Sequence, residues 1–116
     1  MKKLISSFGF AVRGIVVAFT EQRNLRIQSL VATVAIGLGW YFRIAGWEWC
    51  LVIILIGLVI SLELVNSAIE NLVNLVTTEW LPLAGKIKDI AAGAVLIISM
   101  TSLIVGIVIF GKYVIE

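Results

Sequence analysis

Glu63, Asn66, Glu70 and Asn74 are separated by three, four and four positions. At about 3.6 residues per helical turn this spacing stacks them on one face, so a helix through them carries a polar seam of two carboxylates and two amides. An ionisable group in hydrocarbon costs roughly 2.5–3.5 kcal/mol on insertion scales, and such groups face a protein interior or a watery cavity and mark function. Two carboxylates near a membrane surface suit Mg2+, which takes one or two carboxylates together with waters and substrate phosphates. The more deeply set carboxylate suits a general base. Lys88 and Asp89 open the next apolar segment beside Ala91, Ala92, Gly93 and Ala94, a small-residue run that lets a helix or a ligand approach the backbone closely. The competing explanation for the seam is packing, with Asn66 and Ser67 hydrogen-bonding across a helix interface. Two glutamates on one face, met by a lysine and an aspartate from the next segment, favour a site. Lys86, without such a partner, reads as a positive anchor, and Asn71, Thr77 and Thr78 as groups that cap or solvate a helix end.

Composition says where these residues sit. Of 116 residues, 61% are hydrophobic and 14% charged, with a net charge of +2, whereas a soluble domain is about half apolar. The chain belongs in lipid. The lone Cys50 excludes an internal disulfide and reads as a small buried hydrophobe, and the absence of histidine excludes His-based catalysis and His-bound zinc. Gly85 and Lys86 have no glycine five residues earlier, so there is no phosphate-binding P-loop, and no nucleic-acid partner is expected.

Charges divide the chain into segments. The expected spans are about 25–43, 48–76 and 87–111, preceded over about 4–20 by an amphipathic surface helix whose Phe8, Val12, Ile15, Val16 and Phe19 recur at helical spacing. A secretory signal peptide is the alternative for that start, but Arg13 interrupts the apolar run and no small-residue cleavage site follows. The fold expected is all-α and integral to the membrane. Lys2, Lys3, Arg13, Arg23, Arg26, Lys86 and Lys88 fall on one side, against Arg43 and Lys112 on the other, which puts the N-terminus in the cytoplasm. Trp40, Trp47 and Trp49 mark one interface and Trp80 the other. Glu63 follows Glu48 by fifteen residues, so it lies about 22 Å into a core ~30 Å thick, just under the cytoplasmic surface.

The segment Glu63, Asn66, Ser67, Ala68, Glu70, followed by Pro82, Gly85, Lys88, Asp89 and the small-residue run to Val95, resembles the bacterial diacylglycerol kinase and undecaprenol kinase family. The resemblance covers nearly the whole chain, from Arg13 and Gly14 through the third span. It implies three transmembrane helices with an N-terminal surface helix, a homotrimer with active sites shared between subunits, and transfer of the γ-phosphate of ATP to a membrane lipid hydroxyl with Mg2+, in the bacterial cytoplasmic membrane. Through it Glu63 is expected as catalytic base, Asn66 as the active-site amide, and Glu70 as a metal- and ATP-associated carboxylate. Lys88 and Asp89 are expected at the nucleotide phosphates, with Gly85, Phe10, Gln22 and the segment Glu79, Trp80, Leu81 around ATP, and Arg13 beside Glu63 at the lipid substrate.

The chain departs from the family pattern at several of these places. The order Glu21, Gln22, Arg23, Asn24 puts Gln22 where the family has its second metal carboxylate and leaves Glu21 one residue away, so the metal set is Glu70 with Gln22 or Glu21. Asn74 stands for an aspartate, Phe10 for a tyrosine, and Trp80 and Leu81 for a tyrosine and a histidine. These losses imply altered metal affinity, a changed lipid preference or a weakened enzyme. The segment from Lys88 to Val95 leans toward undecaprenol over diacylglycerol. Two other readings stand beside the kinase: a small proton-coupled transporter using Glu63 as its proton site, and an inert membrane subunit whose seam only packs helices.

Overall fold

The computed structural model describes residues 1–115. Among them are four α-helices: α1 (Lys2–Glu21), α2 (Arg23–Phe42), α3 (Gly46–Val76) and α4 (Pro82–Ile115). Each is long and apolar enough to cross a membrane by length and composition, α1 included, whose apolar stretch is unburied within the chain. At ~1.5 Å per residue, α3 and α4 run about 46 and 51 Å, longer than a ~30 Å hydrocarbon core, so both carry residues beyond it.

The helix ends explain the boundaries. Gln22 adopts an extended conformation and breaks the chain between α1 and α2. Arg26 holds that elbow, since its Nη1 donates to the carbonyls of Phe19 at 2.7 Å and Thr20 at 3.2 Å, which the end of α1 leaves without intrahelical partners. α2 closes with Arg43 in the left-handed region (φ 53°), and the N–H groups of Arg43 and Ile44 return to Trp40 and Gly39. α3 starts at Gly46, with Glu48 reaching back to accept from the Ala45 N–H at 2.9 Å. α4 begins five residues before the expected position 87, because Pro82 occupies the first helical turn, where its fixed φ helps and its missing N–H costs nothing. Thr77 ends α3 as expected, its Oγ1 accepting from the Glu79 N–H at 3.1 Å.

α3 is the central element. It packs along α4 and also meets α2, and α1 leans on it near residues 64–71. The packed face of α3 presents Glu48, Val52, Val59, Glu63, Asn66 and Val73. Cys50, expected to be buried, is instead exposed: two positions from both Glu48 and Val52, it lies on the opposite side of the helix from that face. Toward the end of α3 that begins at Gly46, a small cluster of Ile44, Val52 and Ile109 is covered by Phe42, Trp49 and Phe110. Gly39 is needed there, because a Cβ at this position would sit 2.8 Å from Trp49 Cη2 and 3.1 Å from Ile44 Cδ1. Gly39→Ala is expected to destabilise the protein by about 1–3 kcal/mol by overpacking, read as a lowered unfolding midpoint in detergent, while Gly37→Ala, which meets no neighbour within 4 Å, leaves the midpoint within error.

Candidate active site

Hydrophobic burial gives no direction to two apolar helices in lipid, so the polar contacts show how the site is built. Glu63 is 1% exposed on α3. Gln28 of α2 lies near its carboxylate and donates through Nε2 to Ser99 Oγ of α4 at 3.1 Å. Three helices thus converge at Glu63. One turn on, Asn66 Nδ2 donates to Glu70 Oε1 at 3.3 Å, and near the end of α3 Lys88 Nζ of α4 donates to Asn74 Oδ1 at 2.8 Å. The seam Glu63, Asn66, Glu70, Asn74 therefore exists as one face, and Lys88 reaches it from the next helix.

Several buried polar atoms on this part of α3 have no partner in the chain: Glu63 Oε1, Asn66 Oδ1 and Ser67 Oγ. A buried acceptor left unpaired costs about 1–3 kcal/mol. Two of these are hard oxygen acceptors beside the half-buried Glu70, a donor chemistry that suits a hydrated Mg2+ or hydroxyl and ammonium donors.

Two spaces adjoin the seam. A groove of about 500 Å3 between α1 and α3 is lined by Gly14, Ala18, Glu21, Gln22, Ser67 and Asn71, so the two candidates for the second metal position share a wall with the unpaired Ser67. The described residues hold no cluster of three or more carboxylate, cysteine or histidine side chains within one chain. The second space is an apolar cleft of about 820 Å3 between α2 and α4 over a floor of α3, with Ala32, Leu38, Val59, Leu103 and Phe110 in its walls. Gln28 and Ser99 line its end beside Glu63.

The remaining expected site residues stand apart from Glu63. Arg13 and Phe10 contact each other, the guanidinium 5.6 Å from the ring centroid, and both are exposed, as are Glu79, Trp80, Leu81 and Asp89, while Gly85 is half-buried. Among the described residues no hydrogen bond or ion pair joins any of these to the seam. Gln28 and Ser99 were missed in reading the sequence, although polar side chains inside apolar segments are themselves a signal in lipid.

The profile of the prokaryotic diacylglycerol kinase family matches residues 9–110. The chain belongs to that family. As a member it is a lipid kinase, a transferase acting on a lipid alcohol, which sets the proton-coupled transporter aside. Among its relatives are an undecaprenol kinase of Bacillus subtilis (strain 168), 37% identical over 95% of this chain and 89% of the relative, and a diacylglycerol kinase of Helicobacter pylori (strain 26695), 35% identical over 97% and 84%. A diacylglycerol kinase of Escherichia coli (strain K12) is 26% identical over 88% and 84%.

In this kinase the Gln28 amide donates to Ser99 across α2 and α4 beside Glu63, so Gln28→Ala leaves the half-buried Ser99 hydroxyl without its donor. Its expected cost is about 1–3 kcal/mol of stability, measured by thermal unfolding in detergent; an unchanged midpoint would show that the bridge contributes nothing net.

Proposed function

We propose that the chain is an ATP- and Mg2+-dependent kinase of a membrane lipid alcohol, undecaprenol in preference to diacylglycerol, working at the cytoplasmic face of the bacterial cytoplasmic membrane. The observation that carries this reading is Glu63, a buried carboxylate with an unpaired oxygen, near the Gln28 that lines the polar end of an apolar cleft, in a member of a lipid kinase family. The whole chain, 1–116, serves as one lipid-kinase domain with a surface helix near 4–20, spans near 25–43, 48–76 and 87–111, and the N-terminus in the cytoplasm. Homotrimers with shared active sites supply the polar partners that Asn66 and Ser67 lack in a single chain.

The lipid lies in the α2–α4 cleft with its hydroxyl at Glu63, and Arg13 is assigned to the lipid substrate through the family resemblance. From Ser99 to Val114 the cleft wall on α4 spans about 22 Å of helix rise, more than the ~15 Å of one leaflet's half of the core. That length favours a long polyprenyl chain over two acyl chains, in line with the undecaprenol kinase among the relatives.

In the reaction Glu63 accepts the proton of the lipid hydroxyl as its oxygen attacks the γ-phosphorus, and the bond to the β-phosphate oxygen breaks, releasing ADP. Asn66 orients the hydroxyl and fixes Glu70. Lys88, steadied by Asn74, neutralises charge on the transferring phosphoryl group, and Asp89 lies beside it at the nucleotide phosphates. Phe10, Gln22, Glu79, Trp80, Leu81 and Gly85 enclose the nucleotide. Mg2+ when bound neutralises the phosphates, and Glu70 with Gln22 or Glu21 are the residues to hold it.

Purified protein in mixed micelles with Mg2+ and labelled ATP, offered undecaprenol and diacylglycerol in parallel, is expected to label undecaprenol more strongly. No label in either lipid, with folding intact, refutes the kinase reading. Glu63→Gln is expected to lower turnover at least ~10²-fold, the scale of a general base, with assembly unchanged. Gln22→Glu is expected to raise Mg2+ affinity; no change transfers the metal position to Glu21.

A further inference from the structure

At the end of α3 and α4 remote from the seam lies a second polar cluster that the phosphoryl-transfer reading does not use. Glu48 is fully buried. Its Oε1 accepts from the Ala45 N–H and from the Tyr113 hydroxyl, and its Oε2 pairs with Lys112 Nζ at 2.6 Å. Lys112 also stands 5.2 Å from the Trp47 ring centroid. One α3 carboxylate thus gathers two side chains of α4.

Among the described residues, the side-chain hydrogen bonds and ion pairs between α3 and α4 fall at two places, this cluster and the contact of Lys88 with Asn74. Between them the buried aliphatic residues are Val52, Val59 and Val73 of α3 and Ala91, Val95 and Ile109 of α4, which pack almost as well after a shift along the axis, and the buried Glu63, Asn66 and Ser67 of α3 lie in the same stretch outside those two places of side-chain contact with α4. The two polar contacts do choose one. Glu48 and Asn74 are separated by about 39 Å of helix rise, and Lys88 and Tyr113 by about 38 Å on the antiparallel partner. The two spans agree to within a single residue's rise of ~1.5 Å, far closer than the ~5.4 Å of a one-turn slip.

We infer that Glu48, with Tyr113 and Lys112, is a positioning device that sets the axial register of α4 on α3 and thereby holds Lys88 opposite Asn74, beside Glu70, at the far end of the helix pair. The effect on ATP rests on the kinase reading; the register itself does not.

The register is read without activity by replacing Asn74 and Lys88 with cysteine in a Cys50→Ala background and following formation of the intrachain bis-maleimide cross-link by mass spectrometry. Tyr113→Phe with Lys112→Gln removes the links to α4 while keeping the Glu48 contact to Ala45, and is expected to slow the cross-link severalfold. Glu48→Ala does the same, and Glu48→Gln, which keeps an acceptor for Tyr113, restores most of the rate. Cross-linking at the parental rate in a variant of unchanged helicity overturns the inference. In the cysteine-free protein with Asn74 and Lys88 intact, the double variant is expected to raise the KM for ATP about fivefold with kcat little changed. A fall in kcat at constant KM, with cross-linking unaltered, would mark a merely structural role and overturn the inference. Slowed cross-linking with unchanged ATP kinetics would uphold the register and count instead against Lys88 as a phosphate ligand.

Discussion

Polar groups inside a bilayer have no water to turn to, and this one constraint organises the molecule. Apolar side chains are as well accommodated by lipid as by each other, so the placement of helices depends on close packing and on a small number of polar contacts. In this chain those contacts are few and specific. Arg26 caps the end of α1, Gln28 links α2 to Ser99 of α4, Lys88 meets Asn74, and Glu48 takes Tyr113 and Lys112. Each joins elements that are otherwise interchangeable aliphatic rods.

The same constraint makes the exceptions informative. Glu63 Oε1, Asn66 Oδ1 and Ser67 Oγ are buried and without a hydrogen-bond partner. All three fall within five residues of α3, just past Ile60, where the apolar cleft ends on this helix, and beside the α1 groove that Ser67 lines. A membrane kinase has to bring a lipid hydroxyl and a nucleotide phosphate to one point, and a cleft of hydrocarbon character beside a groove lined by Glu21 and Gln22 supplies two different approaches to one helix. Phosphoryl transfer asks the protein mainly for position and charge neutralisation, which a rigid helix bearing residues at three- and four-residue spacing provides with little further structure.

Much of this could be read in the sequence. The apolar segments, the polar seam on α3, the pairing of that seam with Lys88 and the family itself follow from residue spacing and type, because helical periodicity is local and the hydrocarbon core fixes segment length. The α4 start at Pro82 was also available from the preference of proline for the first turn. Other features were not. Cys50 reads as buried until the packed face of α3 is known, since an apolar neighbourhood in sequence does not say which side faces lipid. Gln28 and Ser99 stand 71 positions apart, and nothing local to either names the other.

The sequence by itself determined an all-helical chain with long apolar segments, one acidic and amide-bearing face, and membership in a lipid kinase family, since each depends on interactions within a few turns of one helix or on residue identity. Tertiary structure decided which polar groups find partners across helices. It joined Gln28 to Ser99 near Glu63, set Glu48 against Tyr113 at one end and Lys88 against Asn74 at the other, and left Glu63 Oε1 without a partner. Those outcomes depend on the relative height and rotation of separate helices, which a one-dimensional pattern of spacing does not contain.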